Sequence, residues 1–268
     1  MLAPLAIFAA GFWAGMINVV VGSGTLVTFP TLVLFGYPPL VANVSNNIGL
    51  VGGGITGTWG YRRELTGQAG RLRQLLPASC LGGLTGALLL LVLPASAFRA
   101  VVPVLIALGL LMVVAGPALQ RRAAARRARP VTTPVPYAES PATPTPSRAR
   151  NTALIIGTFL LGIYGGYFGA AQGVLIIGLM SVLTAESLQS ITGLKNVLTT
   201  AVNALAAVTF MLVAWHSVDW AAVALIAAGA TLGGVAGARF GRRLPPALMR
   251  ALIVLIGLVA IARLLFFP

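Results

Sequence analysis

The sequence predicts an all-α polytopic membrane protein made of two inverted repeats, each a re-entrant or broken-helix hairpin followed by three transmembrane helices. Three observations lead to this prediction. The chain is 58% hydrophobic and 8% charged, whereas soluble domains are about 25% charged. Apolar runs of roughly 20 residues, the length that spans a bilayer as a helix, recur along the chain. Stretches of the first half also recur in the second half in the same order, which indicates a duplication.

The apolar runs favour helices over barrel strands because they lack the strict alternation of apolar and polar residues that barrel strands show. Hydropathy predicts spans near residues 41–60, 74–93, 100–118, 191–213, 220–238 and 249–266. The first apolar run leads directly into further apolar runs, so we expect the N-terminus to be retained rather than removed as a signal peptide.

Two other apolar stretches are interrupted by small and polar residues. Residues 2–36 are broken at Gly22-Ser23-Gly24, and residues 152–184 are broken at Ala171-Gln172-Gly173. Neither stretch is long enough for two spans of roughly 20 residues, so each predicts a hairpin whose tip turns inside the membrane. Glycine permits such a turn because it has no Cβ to clash with the backbone.

A segment between the halves separates the two predicted repeats. Residues 120–150 are rich in Arg, Pro, Ser and Thr and cannot bury an apolar face, which is typical of a flexible linker. We therefore predict a first membrane repeat at 1–119, a linker at 120–150 and a second, inverted membrane repeat at 151–268.

The duplication is visible in short matches. LGGLTGA at 81–87 recurs as LGGVAGA at 232–238, an offset of 151, and Leu93-Pro94 recurs at the same offset as Leu244-Pro245. Gly24 and Asn47 recur as Gly173 and Asn196 at an offset of 149. Within the longer match, Gly82 with Gly86, and Gly233 with Gly237, have the GxxxG spacing that predicts close helix packing.

The basic residues predict orientation rather than nucleic-acid binding, although the formal net charge is +14. They cluster at residues 62–73, in the linker and at residues 239–250, and the positive-inside rule places these three segments in the cytoplasm. Parity then requires the second half to be inverted relative to the first and places both termini outside. Only Arg99 and Arg263 are left outside.

The two hairpin tips are candidate anion-binding elements. A short helix that begins at a tip presents free N–H groups and the positive end of its dipole. The candidate residues are Gly22, Ser23, Gly24 and Thr25 in the first hairpin and Gln172 and Gly173 in the second. The alternative is that the glycines only allow close packing of helices.

A second candidate group lies near the start of the span that follows each hairpin. It contains Asn46 and Asn47 in the first half and Lys195 and Asn196 in the second, and Lys195 is the only lysine in the chain. A cation beside amides suits an oxyanion, because polar groups in spans usually face a cavity or a partner. The alternative for Lys195 is a side chain that snorkels to the interface.

Three other polar residues of the span at 191–213 are weaker candidates for ligand contact. For Thr199, Thr200 and Asn203 we expect hydrogen bonds between helices rather than contact with substrate.

Few residues could support catalysis. The acids are Glu64, Glu139, Glu186 and Asp219, and the only histidine is His216. They form no metal-ligand set and no pairing of a nucleophile with a base, so we predict no enzymatic activity and no cofactor. Glu186 leaves proton coupling open beside the simpler interpretation of a solvated loop carboxylate.

Several stretches together resemble the TauE/SafE sulfite exporter family of membrane permeases. They are GFWAGMINVVVGSGTLVTFP, YRREL, ITGLKNVLTTAVNALAAVTF, AWHSVDW and LGGVAGARFGRRLPPALMRALIVLIGLVA. The resemblance covers nearly the whole chain except the linker. The chain departs from the family in having only GSG where many members have a longer glycine run, and Ser45 where they often have threonine.

The resemblance implies a secondary transporter that exports sulfite or small organosulfur or sulfonate anions across the bacterial cytoplasmic membrane. The inverted repeats predict alternating access between the two halves. The alternatives are a passive anion channel and a permease for another small anion such as a carboxylate. The expected partners are a small anionic substrate and the lipid bilayer, not nucleic acid. The sequence leaves open a proton or sodium ion as the coupling ion, and a homodimer.

Overall fold

The computed structural model describes residues 2–127, 148–240 and 246–266, and the regular structure in these ranges is helical. The first half contains α1 (Leu2–Val20), α2 (Thr25–Leu34), α3 (Pro39–Gly60), α4 (Ala69–Val92) and α5 (Ala95–Arg127). The second contains α6 (Arg148–Tyr167), α7 (Gln172–Leu183), α8 (Leu188–Val213), α9 (Trp220–Phe240) and α10 (Pro246–Phe266), with a 3₁₀ turn at Trp215–Ser217. The predicted all-α class is confirmed.

Five of the described helices are long and apolar enough to cross a membrane, namely α1, α4, residues 95–118 of α5, α8 and α9. Large apolar side chains such as Leu2, Val92 and Leu212 are exposed on the outside of the bundle. A surface of this kind is stable against lipid rather than water. The chain is therefore a multi-pass membrane protein.

Helices extend into both ends of the region predicted as a linker, residues 120–150. Helix α5 continues to Arg127 and α6 begins at Arg148, because the alanines and arginines of residues 120–127 are good helix formers. Residues 128–147 lie outside the described residues. The same is true of Glu139, Arg242, Arg243 and the Leu244-Pro245 motif.

Each predicted hairpin consists of a long helix and a short one. In the first, Gly22 has φ +87° and Gly24 lies so close to α1 that an added Cβ would be 2.5 Å from the Ala14 oxygen. In the second, Gly169 has φ +74° and Ala171 has φ +61°. These left-handed residues turn the chain where α1 and α6 end. The second legs, α2 and α7, have 10 and 12 residues and are too short to span.

The long helices pack in two matching pairs between the halves. Helix α1 packs along α9, and α6 packs along α4. Gly86 of α4 lies against the backbone of Ile163 in α6, and Gly237 of α9 lies against the backbone of Met16 in α1. An added Cβ on Gly237 would be 2.9 Å from the Met16 oxygen. These contacts confirm the packing interpretation of the two GxxxG motifs.

The hydrophobic core extends through both halves around the short helices. Phe29 of α2 packs edge to face against Phe168, with ring centroids 5.1 Å apart. Helices α5 and α10 cover the short legs, α5 against α7 and α10 against α2. The hairpin turns therefore lie inside the protein.

Candidate functional site

The turns of the two hairpins meet. The Gly173 N–H donates a hydrogen bond to the Gly22 carbonyl oxygen at 3.0 Å. A Cβ on Gly22 would lie 2.5 Å from the Gly173 Cα, and a Cβ on Gly173 would lie 2.6 Å from the Gly22 Cα. Only glycine fits at both positions without displacing backbone. The contact also means that the Gly173 N–H, predicted as a free donor for an anion, already has a backbone acceptor.

Lys195 lies in the interior beside this contact. Its side chain is 0% exposed, so the alternative of a snorkelling side chain is wrong. The ammonium group donates hydrogen bonds to the backbone oxygens of Asn18 at 2.8 Å and Val19 at 3.0 Å, in the last turn of α1. These carbonyls have no partner within their own helix, and they form the negative end of the α1 dipole. Lys195 therefore caps α1 from the opposite half of the chain.

The charge of Lys195 is offset by carbonyl dipoles rather than by a carboxylate. In the part of the chain that the structure describes, the three acids are Glu64, Glu186 and Asp219, and all lie in connections between helices. Protonated Lys195 therefore has no carboxylate beside it among the described residues, and its charge favours a negative ligand.

The end of α6 receives a neutral donor instead. The Asn43 amide of α3 donates to the Tyr167 oxygen at 3.0 Å, and the Tyr164 hydroxyl donates to the Ala170 oxygen. Gln172, predicted to contact substrate, donates from Nε2 to the Leu161 oxygen at 3.0 Å and packs against Gly165. Its amide therefore holds α7 on α6.

Asn46 connects α3 to the first turn of α2. Its Oδ1 accepts a hydrogen bond from the Thr28 hydroxyl, and its Nδ2 donates to the Thr25 hydroxyl at 3.5 Å. Gly24 N–H donates to the Asn18 Oδ1 at 3.5 Å. Asn46 and Thr25 thus position the start of α2 and are already partnered.

Three residues of the predicted set contain a buried polar atom with no hydrogen-bond partner. They are Ser23 Oγ, Asn47 Oδ1 and Asn196 Nδ2, and the side chains are 1%, 7% and 4% exposed, respectively. A buried polar atom without a partner is costly, so its presence favours a ligand or water at that point. Asn47 and Asn196 are equivalent at the offset of 149. A fourth atom of this kind, Ser79 Oγ, lies on α4 near Gly162 of α6.

Polar contacts between α3 and α8 continue from Asn47. Its Nδ2 donates to Asn203 Oδ1 at 3.5 Å, and the hydroxyls of Thr58 and Thr200 are 3.2 Å apart. The expected bonds between helices are confirmed for Asn203 and Thr200. The prediction is wrong for Thr199. Its hydroxyl donates to the Lys195 backbone oxygen of its own helix at 2.9 Å, as hydroxyls within helices often do.

All ten predicted site residues are buried. A cavity of about 420 Å³ lies elsewhere, lined by Ser96, Arg99, Ala100, Pro103 and Leu264 on α5 and α10. Among the described residues, no group of three or more His, Cys, Asp or Glu is placed to hold a metal ion. At the hairpin contact, the groups of the predicted set with bonding capacity left are Ser23 Oγ, Asn47 Oδ1 and Asn196 Nδ2.

Comparison with known proteins defines the family. The family model described as Sulfite exporter TauE/SafE matches residues 7–264. The chain belongs to this family. Its relatives include the probable membrane transporter protein YfcA of Escherichia coli, 27% identical over 99% of this chain and 92% of the relative. A probable membrane transporter protein of Haemophilus influenzae is 24% identical over 97% of this chain and 93% of the relative.

A shorter match joins the chain to the probable membrane transporter protein ORF9 of Sinorhizobium, 35% identical over 37% of this chain and 38% of the relative. No solved structure matches the chain significantly. The TauE/SafE family and these relatives are named as transporters, so the chain is a membrane transporter protein rather than an enzyme.

Two features of this TauE/SafE protein were missed by the sequence-based choice of site residues. Asn43 lies in the polar cluster of α3 but was not selected, although it caps α6. The contact between Gly22 and Gly173 joins positions 151 residues apart, and no local pattern reports it. The repeat offset of 149 relates the two turns, because it pairs Gly24 with Gly173, but it does not predict which residues of the turns touch.

Proposed function

We propose that the chain is a secondary transporter that exports sulfite or small organosulfur or sulfonate anions across the bacterial cytoplasmic membrane. The single observation that supports this most strongly is the buried meeting point of the two hairpin turns beside Lys195. Such a point combines an interrupted backbone, a positive charge and enclosure within the bundle. Anion sites in transporters of this build lie near the midplane, between the two repeats.

The proposed substrate site consists of the groups that still have bonding capacity. The Ser23 hydroxyl and the Asn196 amide are able to donate to an oxyanion. Asn47 Oδ1 accepts, and suits a hydroxyl or amine on the substrate. Lys195 contributes its positive charge from a short distance while its ammonium stays bonded to α1. Gly22, Gly24 and Gly173 shape the turns, and Thr25, Asn46 and Gln172 hold the short helices in place.

The matching of helix contacts supports the two inverted repeats. Helices α1 to α5 of the first half correspond in order to α6 to α10 of the second. The contact of α1 with α9 therefore corresponds to that of α6 with α4, and the contact of α5 with α7 corresponds to that of α10 with α2. With the basic segments in the cytoplasm, the two halves have opposite orientations. Alternating access then consists of movement of one half against the other around the hairpin contact.

Burial of the site favours a carrier over an open channel. Since all ten proposed residues are buried in one structure, a substrate reaches them only after a conformational change. A channel would instead conduct through a continuous polar path.

Flux in liposomes tests the proposed function. Purified protein should carry radiolabelled sulfite or a sulfonate with saturation and counterflow, and liposomes without protein serve as the control. Flux that neither saturates nor shows counterflow would identify a passive channel. Selective flux of a carboxylate would identify a permease for another anion. Repeating the assay with a proton or a sodium gradient identifies the coupling ion.

A further inference from the structure

Two of the polar ties between the halves involve residues in the connections between helices. The first joins Gln68, the residue before α4, to Glu186 in the turn between α7 and α8. Gln68 Nε2 donates to Glu186 Oε2 at 2.8 Å. Both side chains are half-buried. We name this contact the basic-end tie, because it lies beside the arginine-rich loop at residues 62–73.

The second tie joins the halves through Asp219, the residue before α9. The Asp219 N–H donates to the Ser45 hydroxyl of α3 at 2.9 Å, and its carboxylate accepts from the Ala222 N–H at 2.8 Å. Burial, and then the negative charge of Asp219, raise the pKa of the hydroxyl of Tyr37, which lies in the turn between α2 and α3. Asp219 of the second half is thus hydrogen-bonded to Ser45 of the first, and its charge acts on the Tyr37 hydroxyl. We name this group the acidic-end tie.

The two ties occupy equivalent positions in the repeats. Glu186 corresponds to Tyr37 at the offset of 149, and Asp219 corresponds to Gln68 at the offset of 151. The residue before α4 bonds Glu186 in the turn after the short helix of the opposite half. The residue before α9 bonds Ser45 of α3 and acts on Tyr37, in the equivalent turn, through its charge. One carboxylate is present in each tie, Glu186 in the first and Asp219 in the second.

The ties lie at opposite ends of the protein. Tyr37 precedes α3 and Gln68 follows it, and the 22 residues of α3 make a helix about 33 Å long. The hairpin contact of Gly22 and Gly173 lies in the interior between these ends. Each tie therefore closes the gap between the halves on one side of the buried site.

We propose that the basic-end tie and the acidic-end tie are the two gates of the transporter, and that each opens in turn while the other stays closed. This inference rests on the proposed transport function. The structure has both ties formed and the site buried, as expected of an occluded state. The hydrogen bond of the basic-end tie joins two half-buried side chains and exchanges with water at small net cost. The hydrogen bond of the acidic-end tie involves the N–H of Asp219, a residue of a connection between helices, so either tie is able to open without unfolding a helix.

Reversible crosslinks test the gates. In a Cys80→Ser background, Gln68→Cys with Glu186→Cys locks the basic end, and Ser45→Cys with Asp219→Cys locks the acidic end. Oxidation should lower sulfite or sulfonate flux at least ten-fold in each pair, and reduction should restore it. The matched control is Ser187→Cys with Ser190→Cys, whose parent hydroxyls are 3.0 Å apart within one half. Its crosslink lies at the same end but leaves the halves free, so flux should persist.

Binding from one side gives a second measurement. In vesicles of known orientation, the basic-end lock should bind radiolabelled sulfite only from the opposite side, and the acidic-end lock only from the basic side. Failure of either pair to crosslink, or crosslinked pairs with full flux, would overturn the gates and leave the proposed function standing. A parent protein that transports none of these anions would reject both proposals.

Discussion

The two hairpins meet the same physical requirement with different chemistry. Helices α1 and α6 both end inside the protein, where their last carbonyls need donors that water does not supply. In the first hairpin the donor is the buried ammonium of Lys195, and in the second it is the neutral amide of Asn43. Each donor comes from the opposite half, on α8 and α3. The difference shows that the fold needs a donor at both ends but needs a charge at only one.

The tips of the two hairpins also differ in how their polar side chains are used. The first keeps the unpartnered hydroxyl of Ser23, while the second uses the Gln172 amide to bond the Leu161 oxygen. Positive charge and free bonding capacity thus coincide at the first hairpin. We expect the substrate to contact the first tip and the second tip to act mainly as its support.

The largest expected effect comes from Lys195→Met, which keeps the length of the side chain but removes its charge. Two hydrogen bonds from a charged donor are lost, at roughly 1.5–3 kcal/mol each. We expect a clear fall in the thermal unfolding midpoint in detergent, together with weaker sulfite binding. A variant that keeps the parent affinity would show that the charge only caps α1.

A smaller but distinct loss is expected for Gly173→Ala, because its Cβ would lie 2.6 Å from the Gly22 Cα. Overpacking of this kind costs about 1–3 kcal/mol. The matched control is Gly178→Ala on the same helix, where an added Cβ meets nothing within 4 Å. The control should be neutral or slightly more stable in a thermal unfolding assay. Equal midpoints for the two variants would argue against the close contact of the turns.

Asn43→Leu tests the neutral cap of the second hairpin. It removes one uncharged hydrogen bond, worth about 0.5–1.5 kcal/mol, so its unfolding midpoint should fall less than that of Lys195→Met. Sulfite affinity should stay within two-fold of the parent in a binding assay. A two-fold change corresponds to about 0.4 kcal/mol of binding free energy. A loss of affinity as large as that of Lys195→Met would remove the proposed distinction between the hairpins.

The smallest effect on stability is expected for Ser23→Ala, since its hydroxyl has no partner in the protein. Its sulfite affinity should fall several-fold, as for the loss of one hydrogen bond of about 1 kcal/mol. Ser79→Ala is the control, because it also removes a buried hydroxyl without a partner, away from the hairpin contact. Unchanged affinity in Ser23→Ala would limit Ser23 to shaping the turn.

Composition, apolar run length and repeat offsets were sufficient to predict a helical membrane protein and to select residues around its centre. Composition and run length depend only on neighbouring residues, and the repeats appear as identical residues at a fixed spacing. Both kinds of signal are visible in the sequence without knowledge of the fold. The helix boundaries near the linker were less predictable, since residues 120–127 have helix-forming side chains but no apolar face.

The roles of the selected residues depended on tertiary contacts. Lys195 was selected as an anion ligand, yet its ammonium caps α1, and the Gly173 amide bonds Gly22 rather than remaining free. The partners of Lys195, Gly173 and Asn43 lie more than 100 positions away in the chain. Hydropathy and spacing contain no record of those neighbours, so only the packed structure separates the groups that build the site from those left to bind.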